Sequence, residues 1–151
     1  MIKFLLGQSG TGLTSYALFL AMKKTKHEKV LFLAGNDKSN AIRRKLYEIN
    51  KREDLAVNHD NFGVISKDVC SSCNWELKKI LEGIIWDYTY LVIDPLFYFY
   101  PTIKSRFTWY LKTLGVDDIL IVSSEHMFQK LGFKSEYEIL QIPPKYRASA
   151  C

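Results

Sequence analysis

Short apolar blocks alternate with longer blocks in which apolar positions recur every three or four residues. The run Ile2-Lys3-Phe4-Leu5-Leu6 ends at Gly7 and predicts a buried strand. Residues 13–25 carry Leu13, Ala17, Leu20, Ala21 and Lys24 along one side, with Leu18, Phe19 and Met22 beside them, and predict a mostly buried helix. Val30 to Ala34 is a second apolar strand, stopped by Gly35-Asn36-Asp37. A helix over 38–51 follows, with Ile42, Leu46 and Ile49 on one face. Residues 62–65 suit a strand, 72–87 a helix and 103–115 another helix ending at Gly115. Tyr90-Leu91-Val92-Ile93-Asp94 has the clearest strand pattern, and Pro95 breaks it. Residues 119–124 form a buried strand with a polar tip, and 137–142 alternate with the period of two expected at a sheet edge.

Unbroken apolar strands separated by helices predict an α/β fold: a mainly parallel sheet with helices on both faces. Neither an internal repeat nor a low-complexity linker divides the chain, so a single domain over 1–151 is expected.

Composition narrows the class. Hydrophobic residues make up 48% of the 151 positions, enough for a sizeable core and against disorder. No apolar run is long enough to cross a bilayer, and the N-terminal run is too short for a secretion signal. The expectation is a cytoplasmic or otherwise intracellular protein with no membrane partner. Three cysteines, Cys70, Cys73 and Cys151, cannot all pair within one chain, which fits a reducing compartment. The net charge of +5 favours polyanionic partners such as nucleic acid. The lysines are spread along the chain, however, and solvated helix faces account for most of them.

The chemistry lies in the loops that close the strands. Gly7-Gln8-Ser9-Gly10-Thr11-Gly12-Leu13-Thr14 has the glycine spacing and terminal hydroxyl of the P-loop, G-x-x-x-x-G-K-[ST]. It follows a strand and opens a helix, as that motif requires. In such a loop, backbone N–H groups curl around phosphate oxygens and the helix N-terminus adds positive potential. Thr14 is placed to hold magnesium, and Ser15 extends the nucleotide-binding set. Leu13 replaces the lysine that neutralises phosphate charge. Asp94, at the tip of a buried strand, is the second candidate magnesium residue. ATP and Mg2+ are the ligands this pairing implies.

In order, these motifs resemble the RecA-like core of DnaB-type replicative helicases. Ala41-Ile42-Arg43-Arg44-Lys45-Leu46 falls where that family has an arginine-bearing helix, Leu91 to Leu96 is similar to its Walker B segment, and Ile119 to Glu125 is similar to its sensor strand. Lys145-Tyr146-Arg147 resembles the Lys-x-Arg that such proteins offer to a neighbouring subunit's nucleotide. The alternative for that segment, after Pro143 and Pro144, is a frayed basic tail. The resemblance implies a homo-oligomer or a replication-type protein partner. It places Asn36 or Asp37 where the family has its catalytic glutamate, and Glu125 where it usually has glutamine. Asn36 cannot act as a base; Asp37 can, with a shorter reach. A carboxylate at 125 repels a γ-phosphate unless magnesium or a proton intervenes.

With Leu13, three hydrolytic positions are altered. The leading expectation is a degenerate P-loop protein with weak or absent ATP hydrolysis, acting by binding nucleic acid or a replication or recombination assembly. One alternative is an active DNA-dependent ATPase that recruits Lys3, Lys38 or Lys104 to the phosphates. Another is a small nucleotide kinase, although no arginine-rich lid is evident. Cys70 and Cys73 have thioredoxin-like spacing without the surroundings of that fold. The aromatic run Phe97 to Tyr100, with Trp109 and Tyr110, suits packing or base stacking.

Overall fold

The computed structural model describes residues 1–8, 12–66, 87–96, 114–133 and 136–146. Labels below number the described elements. Six strands, β1 (Ile2–Leu6), β2 (Val30–Ala34), β3 (Phe62–Ser66), β4 (Tyr90–Asp94), β5 (Asp118–Ser123) and β6 (Glu138–Leu140), form one sheet. Its order is β3-β2-β4-β5-β1-β6 and every pairing is parallel. Three helices are described: α1 (Leu13–Lys24), α2 (Ser39–Glu53) and α3 (Glu125–Leu131). The expected helix over 72–87, most of that over 103–115, the Cys70/Cys73 pair and the aromatic run fall outside the described residues.

The alternation of side chains along each strand assigns two cores. Leu5, Val30, Phe32, Ala34, Val92, Leu120 and Val122 point to the face covered by α1 and α2. Phe4, Leu31, Leu33, Leu91, Ile93, Ile119 and Ile121 point to the other, where Phe128 and Leu131 of α3 and Phe133 pack. Strands buried on both faces need no polar side, which explains the unbroken apolar runs. Connection handedness sorts the helices. The chain moves one way across the sheet from β1 to β2 to β3, and the opposite way from β5 to β6, so right-handed crossovers put α1 and α2 on one face and α3 on the other.

Three local outcomes differ from the sequence expectations. The strand expected over 119–124 stops at Ser123, and Ser124 caps α3 by accepting the Met127 amide at 3.2 Å. Glu125 is therefore the first residue of a helix, not a strand tip. The last strand shrinks to Glu138–Leu140, on the edge beside β1. The segment after Pro143 does not fray through Tyr146: Pro144–Tyr146 form a 3-10 turn, and Tyr146 is buried against Tyr16 and Phe19 of α1, with ring centroids 5.1 and 5.2 Å away. A large ring between two others outweighs the entropy of the chain end.

Candidate functional site

In parallel sheets, ligand sites form beyond the carboxyl ends of strands, where neighbouring connections leave for opposite faces. β1 and β5 are such a pair: α1 follows β1 on one face, and α3 follows β5 on the other. The glycine loop opens there. The Gly7 amide donates to the Ser123 carbonyl at 3.1 Å, tying the start of the loop to the tip of β5. Ser9, Gly10 and Thr11 lie outside the described residues, Gln8 is exposed, and Gly12 caps α1 with φ +86. That left-handed conformation favours glycine. Gly12 brings no side-chain cap and the first turn has no acid, so the helix N-terminus keeps its positive potential for an anion.

Leu13 turns inward. It is buried in the core between α1 and the sheet, and its Cδ2 would lie 3.1 Å from a Cβ added at Gly7. A side chain at position 7 would therefore crowd Leu13, which packs directly beneath it. Ser15 follows at the helix start, half-buried.

Thr14, in the first turn of α1, and Asp94, at the tip of β4, are electrostatically coupled across the intervening strand β5. Asp94 is only 4% exposed. Burial pushes its carboxyl up to about 6; the Thr14 hydroxyl opposes the rise, the Asp37 carboxylate adds to it, and Lys45 offsets it. Asp37 itself, just ahead of α2, is paired with Lys45 at 2.9 Å. Lys45 sits in the second turn of α2, and helical side chains lean toward the N-terminus, which carries its amine back to Asp37. Thr14, Asp37, Lys45 and Asp94 therefore form one electrostatic cluster. Glu125 is exposed in the first turn of α3.

Sequence reasoning paired Thr14 with Asp94 and missed Lys45. The three lysines it nominated stand differently. Lys3 faces Glu138 of β6 at 4.0 Å, Lys38 is exposed at the N-cap of α2, and Lys104 lies outside the described residues. Lys145 is tied to Glu53, at the end of α2, at 2.9 Å; Arg147 lies outside the described residues.

Magnesium suits hard oxygen donors and keeps most of its shell as water and phosphate oxygen, so one hydroxyl and one carboxylate suffice. Thr14 and Asp94 offer those two donor types, and Asp94 is buried at the tip of β4. Among the described residues, no group of three or more His, Cys, Asp or Glu side chains could hold a metal unaided. No helix among them is long and apolar enough to cross a membrane.

No family model matches the chain, and no curated protein matches it. Eight chains of solved structures do. One is a KaiC-like protein from the hyperthermophilic archaeon Pyrococcus horikoshii OT3, with 16% identity and a TM-score of 0.56. The match covers 82% of this chain and 60% of that one, so this chain spans little more than half of the protein it resembles. At that identity the likeness speaks to the fold, which is α/β and RecA-like.

Proposed function

We propose that this chain binds a nucleoside triphosphate, ATP in the first instance, with magnesium at the carboxyl ends of β1 and β4, and hydrolyses it slowly or not at all. The observation that carries the reading is Asp94, buried at the tip of β4 and coupled to Thr14 in the first turn of a helix whose N-terminus is uncapped, at the switch point of the sheet. The backbone of the Gly7–Gly12 loop would cradle the phosphates, and Thr14 and Asp94 would hold the cation. Magnesium, when bound, supplies the charge neutralisation that Leu13 cannot. Asp37 is the one acid of the cluster with the position of a base, and its pairing with Lys45 favours slow turnover. The motif order, similar to DnaB-type helicases, supports a role in binding nucleic acid or a replication or recombination assembly. On this reading Lys145 and Arg147 face a neighbouring subunit's nucleotide only after Lys145 leaves Glu53.

Calorimetry with ATP and magnesium tests the core of this reading. Binding is expected for the natural chain, and Asp94→Ala should remove its magnesium dependence. Absence of binding would reject the nucleotide site, and brisk turnover would reject slow hydrolysis. A second reading, an active ATPase, has one observation behind it: the Lys45 amine shares an electrostatic cluster with Asp94, so it is the candidate to act for the missing loop lysine. If so, Lys45→Met abolishes turnover while leaving the fold intact.

A further inference from the structure

The outward face of α2 carries a cationic stripe that the nucleotide site does not use. At about 100° per residue, Asn40, Arg43, Arg44, Tyr47, Asn50 and Lys51 fall within an arc of roughly 120°. All six are exposed. Tyr47 is 69% exposed, the highest value among the large hydrophobic side chains described. The helix's other cations are engaged, Lys45 with Asp37 and Arg52 with Glu53. Among the described residues, Arg43, Arg44 and Lys51 have no ion-pair or hydrogen-bond partner. Glu48 stands at the rim of the arc, and no ion pair joins it to the stripe. The opposite face of the helix is fixed to the core through Ile42 and Ile49, so the stripe is held on a rigid element.

We propose that this face of α2 binds single-stranded nucleic acid. Three unpaired cations along one helix match a phosphate backbone, and releasing its counterions is the driving term. Exposed Tyr47, set between Arg43 and Lys51, offers a ring on which an unstacked base can lie, and Asn40 and Asn50 offer amides to base edges. An anionic membrane is disfavoured: the arc has no Leu, Ile, Phe or Trp to bury at an acyl boundary. The proposal rests on the nucleic-acid part of the reading above and is independent of the P-loop.

Fluorescence anisotropy of the full chain with a labelled oligothymidylate tests it, beside a duplex of the same length and vesicles containing anionic lipid. The single strand should bind, with log K falling against log salt at a slope of about −2 for three phosphate contacts. Arg43→Gln with Arg44→Gln should reduce that slope by roughly two thirds. Tyr47→Ala should weaken single-strand binding by roughly tenfold, and Tyr47→Phe should leave it unchanged. Calorimetric ATP binding should be the same in every variant, so the two sites are judged separately. Binding that ignores these substitutions would overturn the surface while sparing nucleic-acid binding. No binding to the oligonucleotide would overturn both. Preference for vesicles, or equal duplex binding insensitive to Tyr47→Ala, would overturn the single-strand assignment.

Discussion

Two carboxylates associated with α2 have opposite electrostatics. Asp94 lies near its N-terminal end, enclosed by the sheet, with a hydroxyl and another acid for neighbours, and burial raises its carboxyl to about 6. Glu53 is the last residue at the other end of this helix, which is about 22 Å long. Lys145 bonds to it, burial opposes, and Tyr146 donates a second bond at 3.0 Å; the net effect is a lowered carboxyl. The two differ in whether the chain supplies the cation. Glu53 has its own in Lys145. Asp94 is only partly compensated by Lys45, whose amine is spent on Asp37. A desolvated, undercompensated acid has capacity for a further cation, and a half-buried acid with its own lysine acts as a structural fastening.

The sharpest way to break that contrast is Asp94→Asn. Because the native carboxyl titrates near 6 rather than at its ordinary 3.8, the folded state holds the proton more tightly than the unfolded chain. Stability should fall as pH rises from about 4 to about 6 and remain lower above that. The difference is about 3 kcal/mol at neutral pH in the absence of metal. Asn cannot ionise, so urea denaturation should show the variant more stable than the natural chain at pH 8 and equal to it at pH 4. Equal stability at both values would mean that Asp94 is solvated. For the same reason, magnesium binding should weaken as pH drops through 6.

At the other end, Tyr146→Ala removes a ring packed between Tyr16 and Phe19. A loss of about 3 kcal/mol is expected in the same denaturation assay, with ATP affinity retained. Tyr146→Phe keeps the ring and loses only the bond to Glu53. A parallel fall in ATP affinity would show that the Pro144–Tyr146 turn supports the loop, and the two ends would no longer be separable.

The smallest effect belongs to Glu53→Gln. Its lowered carboxyl contributes stability above its ordinary value of 4.5, and that contribution disappears as pH falls through the native value. The variant should melt slightly below the natural chain at pH 7 in low salt, and the gap should close in high salt or in acid. A gap that survives salt would show that the half-buried Glu53 carboxylate is shielded from solvent in its pairing with Lys145.

Much of this architecture was legible along the chain. β1, β2 and β4 match their expected spans because strands buried on both faces leave an unbroken apolar signature. The P-loop glycines and Asp94 were visible as strand-end chemistry, and the structure joins Thr14 to Asp94. The short α3 was missed although its signals were present: Ser124 as cap, Lys130 in the last turn, and Gly132 at φ +58. Seven residues carry too little periodicity to outweigh the apolar strand before them.

What local sequence determined, then, was which segments are strands, where phosphate-cradling glycines stand, and that Leu13 brings no charge to them. Those properties depend on neighbours three or four residues away. Only the tertiary structure decided that Leu13 belongs to the core, that Lys45 joins Asp37 and Asp94, and that Lys145 and Tyr146 return to α1 and α2. Each of these joins parts of the chain through strand order and helix direction, which apolar periodicity does not encode. Burial, which sets the charge of Asp94, exists only once the sheet has closed around it.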